Sequence, residues 1–476
     1  MAPDDDELRR CLRTLEAIVE DRGRLEVLDR ETQRALLIAA GRVSRPERHE
    51  LRKLDKVRRK KRKEALKSRD EAILDATGIR TLRRAPLFVT PPELRAGEPD
   101  APEESEPLRE ARKCYVCKAS YVEVHRFYDQ MCPSCAELNW ERRTRTADLR
   151  GRVALVTGAR VKIGYQAAIK LLRAGAHTHV TTRFPHDAAA RFAREPDFES
   201  YRERLTIHGI DLRHTPSVER LCARLDGELS RLDYIINNAC QTVRRPPGFY
   251  RHLMDAELTL QLPIEAAATV ASPLGTAPSA ALSQVPLLEG ELAERVDLFR
   301  PGELDADLQQ VDRRDLNSWR LTLDEVPTVE LLEVHLVNAV APYVINARLR
   351  GLMRRTPADD KHIVNVSAME GQFYRAFKTD KHPHTNMAKA ALNMMTRTSA
   401  VDYVKDGIHM NSVDTGWVTD EDPLAIAQRK VEEHGFHPPL DIVDGAARIV
   451  DPIIDGVLTG EHVFGLFLKD YRAVPW

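Results

Sequence analysis

No stretch of eighteen apolar residues occurs in this 476-residue sequence, and its start, MAPDDDELRR, has no apolar core behind a basic segment. Neither a membrane-spanning helix nor a secretory leader is therefore expected. Net charge is almost absent: 72 Lys plus Arg stand against 73 Asp plus Glu, leaving −1. That excludes a whole-chain field drawing in nucleic acid or an anionic membrane, so any such role must be local. Cysteine is scarce as well. Seven in the chain are too few for a disulfide-stapled secreted scaffold, and four of them fall in one short stretch, which points to metal in a reducing compartment. The length predicts roughly two or three domains, and the expectation is a soluble, cytoplasmic protein.

Residues 1–85 read as a helical, basic segment. Leu8, Leu12, Leu15 and Val19 recur at helical spacing behind Asp4, Asp5 and Asp6, and Ser44-Arg45-Pro46-Glu47 has the form of a capping box with an early proline. The helix it would open carries fourteen Lys/Arg between Arg42 and Arg69 against Glu47, Glu50, Asp55 and Glu64, with a focus at Arg58-Arg59-Lys60-Lys61-Arg62-Lys63. Such a run is either a solvated face or a contact for an anionic partner such as nucleic acid. Residues 86–110 hold Pro86, Pro91, Pro92, Pro99 and Pro102 before the acidic run Glu103-Glu104-Ser105-Glu106, a linker with little to bury. A second stretch with no apolar period, at about 265–290, predicts a mobile loop.

Cys114-Tyr-Val-Cys117 and Cys132-Pro-Ser-Cys135 place two thiolates on each of two turns, the spacing that builds a closed, tetrahedral, structural zinc site. A redox dithiol is the alternative. His125 lies between the pairs, but four cysteines already close the site. Residues 111–145 resemble a zinc ribbon or other treble-clef-like finger, a type that contacts proteins or nucleic acids.

From residue 150 to 476 strands and helices alternate, which predicts an α/β domain with a doubly wound parallel sheet. Val153-Ala-Leu-Val156 breaks at Thr157-Gly158 and leads into an apolar-periodic helix. Further strands are expected at 179–182, 205–210, 232–236 and 363–366. The motifs Thr157-Gly158-Ala159-Arg160-Val161-Lys162-Ile163-Gly164, Asp211-Leu212, Asn237-Asn238-Ala239-Cys240, Asn338, Ser367 and Lys389 together resemble the short-chain dehydrogenase/reductase family. The resemblance implies a Rossmann-like fold and a nicotinamide cofactor. Gly158 and Gly164 would bring backbone to the pyrophosphate at a helix start, with Thr157, Ile163 and Lys162 in the same turn. Asp211 with Leu212 would face the adenine, Asn238 and Ala239 would support the nucleotide, and Thr415-Gly416 would contact the nicotinamide. After the second strand stands Thr182-Arg183, where a carboxylate would favour NAD(H). Arg183 and Arg160 can instead pair with a 2′-phosphate, so NADP(H) is expected.

In the family a hydride moves between nicotinamide and a carbonyl or alcohol carbon, Ser polarises the oxygen, Tyr exchanges its proton, and Lys four residues later tunes that Tyr and holds the ribose. A phenol of pKa about 10 can be tuned down by an ammonium neighbour. Asn338, Ser367 and Lys389 follow the family order, with Lys389 expected to open the helix Ala390-Ala-Leu-Asn-Met-Met, but Thr385 stands where the Tyr belongs. Three readings stay open: His384 or Tyr374 donates the proton; Ser367, Lys389 and water suffice; or the chain binds cofactor without turnover, as a scaffold for a protein or nucleic-acid partner. A long insertion, residues 243–330, follows a strand's carboxyl end and is expected to cover the crevice. Trp417 belongs either to the cleft or to the core. Family habit suggests a homo-oligomer.

Overall fold

The computed structural model describes residues 4–92, 106–275, 277–288, 291, 297–374, 378–419, 421–434 and 437–476. Most of the expected linker, residues 93–105, lies outside them. The chain forms two compact units, Met1–Ala72 and Ile73–Trp476.

The first unit is helical. Helix Asp5–Glu20 starts from a capping box in which Asp4 accepts from the Glu7 N–H at 2.7 Å and Glu7 accepts from the Asp4 N–H at 3.2 Å. Helix Arg30–Ser44 follows, and then helix Arg48–Asp75. The capping box expected at Ser44 and Glu47 does not form. Ser44 is the last residue of the preceding helix, its hydroxyl turned back onto the Gly41 carbonyl at 3.0 Å, and the Glu47 N–H donates to Glu50. A hydroxyl within one helix can bond the carbonyl a turn earlier, and here that competes with the cap. The basic run Arg58–Lys63 is exposed throughout.

In the second unit a sheet is built in the order β10-β9-β8-β7-β6-β3-β4-β5, parallel except for the β9–β10 pair. The strands are β3 (Val153–Thr157), β4 (His177–Thr182), β5 (Leu205–Gly209), β6 (Tyr234–Asn237), β7 (Lys361–Ser367), β8 (Ile408–Asp414), β9 (Phe467–Lys469) and β10 (Arg472–Val474). Two short strands, β1 (Arg112–Lys113) and β2 (Ser120–Tyr121), form a separate hairpin around the first cysteine pair. The doubly wound architecture expected from sequence is present. β6, β7 and β8 are buried at every residue, as parallel strands covered on both faces must be. Ala167, Ala168, Leu171 and Leu172 of helix Lys162–Arg173 and Ile449, Val450 and Ile453 of helix Ile442–Thr459 fill one layer. Ile345, Leu349, Leu352 and Met353 help fill the other. These four belong to the run Thr328–Met353, which by length and composition could cross a membrane and is 39% buried over its most apolar window; the four pack one face of that run on the sheet.

The expected mobile loop has structure where it is described. Helices Ile264–Ala267 and Ser279–Leu282 form, and Val270 bridges to Ile207. β5 is the sheet's edge, and its free backbone groups take the Thr269 carbonyl at 2.7 Å and the Ala271 N–H at 2.8 Å.

Several buried polar groups sit within the sheet. His179 and His208 meet ring to ring at 3.0 Å on β4 and β5. Burial, reinforced by neighbouring positive charge, holds His179 at about 4 and His208 at about 3, against 6.5 when exposed. A histidine with a depressed folded pKa leaves the fold fully stable above the unfolded value, and stability falls as pH drops below it. Between pH 7 and pH 5 the cost should be about 1–2 kcal/mol per imidazole. Urea midpoints measured at the two pH values should show this fall, and His208→Asn should reduce it; an identical pH dependence in the variant would contradict the assignment.

Candidate active site

The sheet reverses its winding between β3 and β6, and a cleft of about 970 Å³ opens there at the strands' carboxyl ends, where open α/β sheets bind ligands. β3 runs into a turn that only glycine permits. Gly158 has φ +68°, and a Cβ there would lie 2.8 Å from the Ala239 Cα. At Gly164 a Cβ would lie 2.3 Å from both the Gly158 oxygen and Asn238 Nδ2. Asn238 clamps the turn by donating to the Thr157 and Gly158 carbonyls at 3.1 Å each, and the Ala239 N–H donates to Thr157 Oγ1 at 3.0 Å. Lys162 opens the following helix at φ +56°, so the turn keeps a glycine-like backbone at a non-glycine residue, a strain of about 1 kcal/mol. Its ammonium lies in the field of Asp307 and Glu421. A helix start, close-approaching backbone and a cation together suit a pyrophosphate.

At the β4 end, Thr182, Arg183, Asp211 and Leu212 line the cleft. Burial alone would raise the Asp211 carboxyl; Arg213 at 2.6 Å more than offsets it and holds the group below its ordinary value. Arg160 is already engaged, with Asp187 and Gln309 each at 2.7 Å. Arg183 donates to the Tyr250 hydroxyl at 2.9 Å and forms no ion pair among the described residues. Of the two arginines, Arg183 is therefore the one open to a 2′-phosphate.

At the β7 and β8 end, Ser367 donates to Asn393 Oδ1 at 2.6 Å, and Lys389 Nζ donates to the Val366 carbonyl at 2.8 Å. Thr385, four residues earlier on the same helix, Pro383–Tyr403, is buried with no partner for its hydroxyl among the described residues, and it lines the cleft with Ser367 and Lys389. The helix was expected to open at Lys389; it begins six residues earlier, after His382, whose ring stacks on Trp319 at 3.9 Å. Asn338 sits in a π-helical turn, Leu336–Val340, exchanging bonds with the Gln241 backbone at 2.7 and 2.9 Å. Thr415 and Gly416 line the cleft beside Trp417, which is 44% exposed and so is not core. The insertion contributes Arg245, Phe249, Tyr250, Asp305, Gln309, Gln310 and Trp319 to the cleft lining.

A profile described as short chain dehydrogenase matches residues 152–260, and one described as Enoyl-(Acyl carrier protein) reductase matches 320–435. The chain belongs to the short-chain dehydrogenase/reductase family. An uncharacterized protein of Acanthamoeba polyphaga mimivirus is 31% identical over 359 residues, 72% of this chain and 71% of that one. The WW domain-containing oxidoreductase of Drosophila melanogaster is 34% identical over 93 residues, 19% of this chain and 23% of its own. Among solved structures, a short chain dehydrogenase from Burkholderia cenocepacia in complex with NADP is similar at 18% identity and a TM-score of 0.44, covering 68% of this chain and 97% of that one. The family profiles leave 261–319 unmatched, within the insertion.

For a short-chain dehydrogenase, the position of the proton donor is the point of departure. Neither expected substitute lines the cleft. His384 is buried, both its ring nitrogens lack partners among the described residues, and burial with two neighbouring histidines holds it neutral at about 4. Tyr374 is 48% exposed with its hydroxyl 4.0 Å from Met369 Sδ. Sequence reasoning missed Asn393, although its place four residues after Lys389 puts it on the same helix face. It also missed Trp319 and Tyr115, for which local sequence carries no signal.

The cysteines converge. Sγ atoms of Cys114, Cys117, Cys132 and Cys135 all lie within 4.8 Å of one another, Cys117 and Cys132 at 3.6 Å. Tetrahedral sites with Zn–S near 2.3 Å require sulfur pairs about 3.8 Å apart, so the donor set fits zinc. His125 Nδ1 is occupied by the Phe127 and Tyr128 N–H groups at 3.0 and 3.3 Å.

Gly164→Ala should cost about 2–4 kcal/mol, because the added carbon meets a clamped backbone. Gly227→Ala, on a helix with nothing within 4 Å, should gain about 0.5–1 kcal/mol. Denaturant titration of both variants checks the contrast; equal effects would contradict the close approach.

Proposed function

We propose that this protein is an NADP(H)-dependent reductase or dehydrogenase acting on a small carbonyl or alcohol substrate, with one structural zinc. The observation that carries the reading is a single cleft lined by the Gly158–Gly164 turn, Lys162, Ser367, Lys389 and Thr415-Gly416. Bound there, the nicotinamide would supply or accept the hydride. Gly158, Gly164 and Lys162 would hold the pyrophosphate, and Asn238 and Ala239 would back the nucleotide. Arg183 would pair with the 2′-phosphate, since no carboxylate follows β4. Lys389 would hold the ribose.

Ser367 would turn its proton from Asn393 to the substrate oxygen and polarise it. A threonine hydroxyl is too weak an acid to replace a phenol, but it can relay. Thr385 and Lys389 are four residues apart on one helix face; with its ammonium swung from the Val366 carbonyl to Thr385 Oγ1, Lys389 would pass a proton to that hydroxyl as the hydroxyl gives its own to the alkoxide. Lys389 is then neutral and recovers its proton from solvent. The second reading, a dinucleotide-binding protein without turnover, is favoured by the position of Thr385 and by His384 and Tyr374 lying off the cleft. A cytoplasmic setting is part of the proposal, because thiolates must stay reduced to hold zinc.

NADPH oxidation against a panel of aldehydes and ketones separates the readings. Turnover should be found, reduced at least about 100-fold in Lys389→Ala and raised in Thr385→Tyr, a phenol being the better acid by about five or more pKa units. No oxidation in any variant would leave the binding-protein reading. Metal analysis should find one zinc per chain, lost with cooperative unfolding in Cys114→Ser plus Cys132→Ser; an unchanged fold in that variant would contradict a structural metal.

A further inference from the structure

A finger that serves as a remote docking module has no reason to share a core with the domain that follows it. Here the two share one. Cys114, Tyr121, Tyr128, Met131, Cys132 and Cys135 are buried in the same apolar cluster as Val418, Leu440 and Ile442, with Ile163 packed against it. Ile163 lies inside the glycine turn, one residue before Gly164. Buried polar bonds add to the seam: Tyr128 donates to Asp444 at 2.6 Å, and Arg143 to Asp441 and Asp444 at 2.6 and 2.8 Å.

The first cysteine knuckle goes further. Its Cys114 N–H donates to the Ala119 carbonyl at 2.9 Å and its Lys118 N–H to the Cys114 carbonyl at 3.1 Å. This tight loop turns Tyr115, Val116 and Lys118 toward the cleft, all three of which line it. The Tyr115 hydroxyl accepts from the Trp417 N–H at 3.0 Å, and a Cβ on Gly416 would lie 3.2 Å from that oxygen. Thr415, Gly416 and Trp417 form the segment after β8 that borders Ser367 in the same cleft. The knuckle therefore fixes the backbone of that segment from one side, while Ile163 props the glycine turn from the other.

Resting on the dinucleotide reading of the cleft, we infer that the four-cysteine module is a wall of the cofactor site, with Tyr115 and Lys118 as positioning residues and metal occupancy setting dinucleotide affinity. Four thiolates on one metal hold the loop that carries Tyr115. Without the metal the loop loses its closure, and the Thr415–Trp417 segment loses the hydroxyl that anchors it.

The test is calorimetric titration of the full-length, zinc-loaded protein with NADPH, with zinc content and melting temperature measured for each variant. Tyr115→Ala should weaken binding about 10-fold and Tyr115→Phe about 3-fold, since Phe keeps the ring and loses only the bond to Trp417. Lys118→Ala, at an exposed position, should weaken binding about 3-fold. Glu137→Ala, at an exposed side chain of the module away from the cleft, should bind as wild type. Stripping zinc with EDTA should lower affinity at least about 10-fold, restored by added zinc. Unchanged affinity in both Tyr115→Ala and Lys118→Ala, with zinc retained and wild-type binding intact, would overturn this inference alone. A wild-type protein that binds neither NADPH nor NADH would overturn it together with the dinucleotide reading.

Discussion

The closest backbone approach in the cleft governs the rest of its geometry. Where β3 turns into its helix, Gly164 lies so near the Gly158 carbonyl and the Asn238 amide that one added carbon would sit 2.3 Å from each. The helix start can then face the ends of β3 and β6 directly. Asn238, at the end of β6, donates to two carbonyls of the turn, so the two halves of the sheet are joined where the winding reverses. Loosening that contact would shift the helix start and the Lys162 ammonium with it.

Two additions to the dinucleotide fold lean on the same place. The insertion reaches it from one side: Gln309 engages Arg160, Tyr250 engages Arg183, and Trp319 stacks on His382 at the start of the helix that carries Thr385 and Lys389. The cysteine module reaches it from another, through Tyr115 and the shared apolar cluster. Both lie at strand carboxyl ends, where a parallel sheet leaves its loops free to vary while the scaffold stays fixed. Lys162, a non-glycine residue with a glycine-like backbone, and Thr385, which stands where the family has Tyr, line the same cleft.

Much of the scaffold was legible because its signals are local. Val153–Val156 and Ile363–Val366 are short apolar runs bounded by polar turns, and the cysteine spacing alone brings four thiols to one point. The features that were not legible depend on distant chain. Residues 269–271 pair with β5 because that strand is the edge, which no local pattern reveals. Ser44 and Glu47 have the right spacing for a cap, yet the preceding helix keeps Ser44. His384 shows how a boundary error spreads: with the helix opening at Pro383, Thr385 and Lys389 share one face, and His384, about 100° around the axis from Thr385, turns away. Placing the helix start at Lys389 left that constraint unused. Tyr115 was hidden for a different reason, since knuckle spacing fixes the metal site and says nothing of which strand end the knuckle meets.

The account turns on whether the cleft at the β3–β6 switch is a working dinucleotide site. The most direct measurement is the structure of the protein crystallised with NADPH. The account predicts the pyrophosphate on the Gly158–Gly164 turn beside Lys162, the 2′-phosphate at Arg183, and the nicotinamide between Ser367 and the Thr415–Trp417 segment. A cleft left empty at saturating NADPH, or a dinucleotide bound elsewhere on the chain, would contradict it.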